Sequence, residues 1–284
     1  MEQVTKNVFA ETKIRGCNPS FVVTGEGTVF IDTPQWISAI LSMREAAEAR
    51  GPVRYLINTE GHIDHIFGNH WFADVDIIGH EKLDELFWTV AGDLPCYEYS
   101  VDIIKRQDKD FLHLMPSEED YIVARPNIKI GDKMILKTGG LSFEIYHTPG
   151  HSTSQLAVLV PEEGVLFTGD TIFSGCQTWL HSAEIGPLLD SLSFLEKLEY
   201  EFIVPGHGPV VGKQYIKEQR AFIYEWITAV AKGIEAGWPL DECQKRISFS
   251  DRYPVDIGQE EMMEYIQNTN VARCYAYLSL RGTQ

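Results

Sequence analysis

Short apolar strand patterns in this 284-residue chain run again and again into a turn that carries a histidine or an aspartate. VRYLIN at 53–58 leads into TEGHIDH at 59–65, and LSFEIYH leads into TPGH, which ends at His151. VLFTGD ends at Asp170, and EFIVPGHGP carries His207. A strand end fixes the direction of the residue that follows it, and the neighbouring glycines let the backbone approach a small ligand closely. These ligand-type side chains thus lie at strand ends beside small residues. His62, Asp64, His65, His151, Asp170 and His207, with Glu60 beside them, are then the candidate site. Imidazole and carboxylate donors without thiolate suit zinc, iron or manganese. Two such ions about 3.5–4 Å apart can clamp the attacking and leaving oxygens of a hydrolysis.

The rest of the chain organises around that edge. Residues 21–33 read as two strands about a Gly-Glu-Gly turn. Residues 36–50 suit an amphipathic helix stopped by Gly51-Pro52. Residues 84–125 break the rhythm, with Phe87, Trp88, Tyr97, Tyr99, Phe111 and Tyr121 among many charges. They read as a partly helical insertion or lid. From 213 to 284 the pattern turns helical, with helices predicted over 215–235 and 259–280. Sheets packed between helix layers follow, in an α/β chain whose residues 1–284 form one domain.

Charge and cysteine usage narrow the function. Lys and Arg total 24 against 41 Asp and Glu, a formal charge of −17. That disfavours nucleic acid, which is held by clustered basic residues. Five scattered cysteines without a CxxC pair predict reduced thiols rather than a disulfide framework or a thiolate site. No apolar run is long enough to span a membrane and the N-terminus lacks a signal-peptide pattern, so a cytoplasmic location is expected.

Taken together, EGHIDH, TPGHS, FTGD and VPGHGP resemble the metallo-β-lactamase superfamily in order and spacing. The resemblance covers roughly residues 7–212 and implies a four-layer αββα sandwich with two divalent metal ions at one edge between its sheets. It implies a first site of His62 and His151 with the residue at 60, a second of Asp64, His65 and His207, and Asp170 as the bridge. Asp64 and Asp170 are the catalytic candidates, and Asp32 resembles the family's aspartate that supports the metal edge. The departure is at position 60, where ExHxDH replaces the usual HxHxDH. Glu60 either ligates directly, leaves the first site weak, or serves as an acid/base group. Zinc is the family's metal, whereas an added carboxylate favours iron or manganese.

The resemblance implies hydrolysis, in which metal-bound hydroxide attacks a small carbonyl-type substrate such as a lactone, thioester, ester or β-lactam. Two rivals stand beside it: a di-iron, oxygen-activating enzyme on the same fold, and a non-catalytic metal-binding protein. His181, Cys176 and Trp179 follow Asp170 closely and are candidates for the substrate pocket. The aromatic insertion suggests an apolar or aromatic substrate, or else a packed lid interior. His70, His80, His113 and His147 read as structural or exposed, and Tyr224 and Trp226 as packing. The apolar face of the last helix reads either as core or as the contact of a homodimer.

Overall fold

The computed structural model describes residues 1–83 and 96–281. Its first sheet has seven strands lying in chain order: β1 (Glu2–Gln3), β2 (Val8–Ala10), β3 (Ser20–Thr24), β4 (Gly27–Ile31), β5 (Val53–Ile57), β6 (Asp76–His80) and β7 (Ile128–Ile130). Strands β1 to β4 pair antiparallel, and β4 to β7 parallel. The β3–β4 hairpin is the one expected about the Gly-Glu-Gly turn. A second sheet of six strands holds β8 (Lys133–Thr138), β9 (Leu141–His147), β10 (Leu156–Val160), β11 (Val165–Phe167), β12 (Phe202–Val204) and β13 (Val211–Gly212). Only β11 and β12 pair parallel within it.

Strand periodicity explains the layering. Side chains alternate across a sheet, so Val29 and Ile31 of β4 join Ile145, Val158 and Phe167 of the second sheet in one inter-sheet core. Phe30, between them, faces the other way and packs with Ile37, Ile40 and Met43 of helix α1 (Ile37–Glu48). In β10, Leu156, Val158 and Val160 enter the inter-sheet core, whereas Ala157 and Leu159 turn outward. They meet an outer layer that includes α4 (Ile185–Leu195), α5 (Tyr215–Glu235), α6 (Leu240–Arg246) and α7 (Met263–Arg281). Helix, sheet, sheet, helix is the order of the four layers, as expected.

The long helix over 215–235 matches its predicted bounds, and the last one is preceded by a 3-10 turn at Glu260–Met262. Helix α6 went unread because its seven residues, mostly polar, carry too little periodicity. Trp226 is fully buried, but Tyr224 is half exposed, against expectation. Two residues apart on a helix are about 200° apart, so both cannot face the core. On α7, Ile266 and Val271 are buried, whereas Tyr265 is exposed. In the insertion, α3 (Cys96–Gln107) and a 3-10 turn at Lys109–Leu114 are helical as expected, and Phe87 and Trp88 lie outside the described residues. Phe111 and Tyr121 pack against the α1 core, and the Tyr97 hydroxyl donates to the Pro116 carbonyl. Tyr99 alone of the described aromatics there is largely exposed.

Two backbone contacts fasten the strand ends to one another. Leu156 N donates to the Thr59 carbonyl across the two sheets, at 2.6 Å, and Gly206 N donates to the Gly169 carbonyl at 2.8 Å. These bonds put the turns after β5, β9, β11 and β12 side by side.

Candidate metal centre

Strand β5 ends at Ile57, and the chain then turns through Thr59 and Glu60 into the one-turn helix α2 (Ile63–Ile66). That tight return sends Glu60, His62, Asp64 and His65 towards a common point. The turns of the second sheet add His151, Asp170 and His207. Glu60, His62, His151 and Asp170 form one cluster of potential metal donors, and Asp64, His65 and His207 form another, the donor atoms of each lying within 4.8 Å of one another.

Asp170 faces both clusters. Its Oδ1 lies 3.2 Å from His65 Nε2 and 3.4 Å from His207 Nε2, while its Oδ2 lies 3.4 Å from His151 Nε2. His207 Nε2 is also 3.4 Å from Asp64 Oδ2. Glu60 Oε2 is 2.7 Å from His62 Nδ1, and Glu60 Oε1 is 3.8 Å from His151 Nε2 and 3.6 Å from His65 Nε2. Donors held about 2.0–2.1 Å from a tetrahedral ion stand about 3.3–3.4 Å apart, which is the spacing of most of these pairs. Both Glu60 oxygens, Asp170 Oδ1 and His65 Nε2 are buried without a directed hydrogen bond, even where a nitrogen is near. Buried polar atoms normally find a partner. Lone pairs that converge without one fit a cation between them, so the residues present suit a pair of divalent ions.

The outer atoms of the imidazoles are held in turn. Asp32 Oδ2 lies 3.0 Å from His65 Nδ1, and the Asp32 carboxylate also accepts from the Thr59 amide and hydroxyl. Asp32 takes a φ of +58°, a left-handed conformation that Asp tolerates better than most residues. His151 Nδ1 donates to the Trp179 carbonyl at 3.0 Å, and Ser182 Oγ donates to the His151 carbonyl. Gly206 is required for room: a Cβ there would sit 1.9 Å from Asp170 Oδ1.

Charge is balanced within the cluster. Burial opposes ionisation of Asp170, but His207, His65 and His151 outweigh it and hold its carboxyl well below the usual range. Burial likewise opposes charge on Glu60, and His62 and His151 overcome it. Conversely, the carboxylates, Asp170 foremost, overcome the burial that disfavours charge on His65 and His207 and raise both imidazoles. Protons on these histidines are thus the counter-charge that metal ions would displace.

Of the predicted pocket residues, His181 lies with its ring 5.1 Å from that of His62. Burial and its neighbours His62 and His151 push its pKa down to about 3, so it is neutral, and its Nδ1 is buried without a partner. Trp179 lies 5.6 Å from His181, ring to ring, and its Nε1 is likewise unpartnered. Cys176 is buried, and burial with the Asp256 charge pushes its thiol up. The centre is most open over His62 and Asp64, whose side chains are 15% and 19% exposed against 6% or less for the other donors. Two participants went unread in the sequence: Ser182, and Asp256, whose Oδ2 lies 2.8 Å from His207 Nδ1. Neither sits in a patterned segment, so no sequence signal marked them.

Residues 13–207 match the family profile of the metallo-β-lactamase superfamily. The chain belongs to that superfamily. Among superfamily proteins, a β-lactamase-like protein 2 homolog of Caenorhabditis elegans is 26% identical over 232 residues, which are 75% of this chain and 66% of that protein. An atrochrysone carboxyl ACP thioesterase of Aspergillus fumigatus is 25% identical over 214 residues, 74% of this chain and 56% of that protein. The matched region therefore spans about 56–66% of these curated relatives' own length. A metallo-β-lactamase family protein from Thermus thermophilus superposes with a TM-score of 0.66 at 18% identity, covering 99% of this chain and 95% of that one. The sec-alkyl sulfatase PisA1 superposes with a TM-score of 0.66 at 16% identity, covering 98% and 50%. At such identities the structural likeness shows the fold.

Proposed function

We propose that the chain is a metal-dependent hydrolase of a small carbonyl-type substrate, with an acyl thioester as the first candidate and a lactone, ester or β-lactam as the others. The observation that carries the reading is Asp170, one carboxylate whose two oxygens face two separate donor clusters. The thioesterase name of one relative supports the order of candidates. On this reading Glu60, His62 and His151 would hold a first divalent ion and Asp64, His65 and His207 a second, with Asp170 available to both. The described residues act as one domain, with residues 96–125 of the insertion and 213–281 of the extension shaping the pocket. Bound ions supply Lewis acidity and lower the pKa of water to about 7.

The chain's own residues do the rest. Substrate enters over His62 and Asp64, where the centre is open. Neutral His181 and the half-buried Trp179, each with a buried nitrogen that lacks a partner, stand ready to hydrogen-bond a polar substrate group beside the first cluster. Trp179 and Tyr265, 6.0 Å apart ring to ring, offer an apolar wall to an acyl chain or aromatic ring. Elemental analysis of the purified protein, combined with turnover of a thioester, lactone, ester and β-lactam panel, tests the reading. About two first-row metals per chain and hydrolysis of one panel class are expected; full activity in metal-stripped protein would overturn it. Oxygen uptake without hydrolysis would favour the di-iron alternative.

Glu60 makes a separate prediction. A third carboxylate facing the ions hardens the donor set and favours iron or manganese over zinc relative to an imidazole. Glu60→His is therefore expected to raise zinc affinity by on the order of tenfold, because an imidazole suits zinc better than the harder carboxylate does. Competition against a chromogenic chelator measures it, and unchanged zinc affinity would show that Glu60 is not a ligand.

A further inference from the structure

We propose that Asp256, from the segment between α6 and α7, is a positioning residue for His207 and so makes the C-terminal extension part of the second metal site. The inference rests on the reading of His207 as a ligand. Asp256 lies beyond residues 13–207, the region that matches the family profile. His207 is 3% exposed and Asp256 6%, and Nδ1 of the one meets Oδ2 of the other at 2.8 Å. A buried carboxylate is costly unless a donor or a positive charge faces it. With Nδ1 occupied in this way, Nε2 points to Asp64 Oδ2 and Asp170 Oδ1, each 3.4 Å away. Phe173 stacks on the same imidazole with ring planes 3° apart and centroids 5.1 Å apart. Stacking fixes the ring plane but permits the ring to flip within it; the bond from Nδ1 to Asp256 keeps Nε2, rather than the Cε1 carbon, turned inward. A carboxylate on the outer nitrogen also makes an imidazole a stronger donor.

Asp32 holds His65 in the same manner, whereas the outer nitrogen of His151, Nδ1, meets the neutral Trp179 carbonyl. Both histidines of the second cluster are therefore backed by carboxylates. The segment that delivers Asp256 is itself pinned to the metal edge. Gln177 Nε2 donates to the Phe249 and Tyr253 carbonyls, Gln177 N donates to the Pro254 carbonyl, and Arg15 and Gln107 donate to the Gly258 carbonyl. Arg15 also adjoins Gly16, where an added Cβ would come within 3.2 Å of Asp64 Cβ. Asp256 thus arrives on a scaffold anchored at both sides of the centre.

The test strips the full-length protein of metal and titrates it with cobalt(II), followed by calorimetry and visible absorption, while circular dichroism and thermal melting of the stripped protein report folding. Wild type is expected to bind two equivalents in distinguishable steps, and His207→Ala to lose one of them. Asp256→Asn, which keeps size and shape, is expected to weaken that same step about 10–100-fold and leave the other within about twofold. Asp256→Glu is expected to restore part of the loss. Unchanged affinity in Asp256→Asn would overturn the inference, and so would equal weakening of both steps, the pattern of general destabilisation. A wild-type chain with no second step, or His207→Ala with both steps intact, overturns the ligand reading and this inference with it.

Discussion

Asp170→Ala is expected to leave the protein with at most one metal equivalent and to reduce hydrolysis by about 10²–10³-fold or more. The size follows from the carboxylate's place in the centre. Its two oxygens are the shared neighbours of His65, His207 and His151, so alanine removes a donor from both clusters at once. It also takes away the negative charge that is the leading cause of the raised pKa of His65 and of His207. Asp170→Asn separates the two effects, since it keeps the shape and removes the charge. Metal content by elemental analysis and turnover on the responsive substrate are the readouts. A variant with two metals and undiminished turnover would exclude Asp170 as the bridge.

The second large effect comes from removing the ions. Ions present at 1,000 times their dissociation constants stabilise the native state by about 4 kcal/mol each. Treatment with a strong chelator is therefore expected to abolish hydrolysis and lower the melting temperature by on the order of 10 °C. Loss of the ions leaves Glu60, Asp64 and Asp170 crowded together, with protons on the histidines as the remaining compensation. Because protons and metal compete for the same atoms, release is expected to quicken as pH falls. Differential scanning calorimetry with and without chelator, followed by readdition of manganese or zinc, measures both effects. A melting temperature indifferent to chelator would count against structural coupling of the centre.

Legibility in the sequence tracked locality. Each of the turns bearing Glu60 to His65, His151, Asp170 and His207 follows a short apolar strand and carries glycine close by, so residue type and position could be read together. The four layers were legible for a related reason. Alternation in β4 and β10 puts large side chains on two faces, and such a strand must be covered on both. What escaped was held by distant contacts. Asp256 stands 49 residues from His207 in an irregular stretch, and nothing about an acidic residue in a loop announces its partner. Tyr224 is half exposed because it lies about 200° round the helix from the buried Trp226, an angle that its aromatic character alone does not reveal. Glu60 was visible as a departure, but its burial among three imidazoles became apparent only in three dimensions.

The division of the candidate donors between the two sheets sets a timetable for the molecule. Residues 60–65 belong to the first sheet's edge, and His151, Asp170 and His207 to the second's, so neither half holds a complete donor set. During synthesis, a chain emerging from the ribosome can assemble the first sheet before His207 and Asp256 exist. Firm metal capture then belongs to the end of folding, after the halves have docked. Until that moment the nascent chain carries an incomplete set of candidate donors, and ions bound at the finished centre would tie its two halves together.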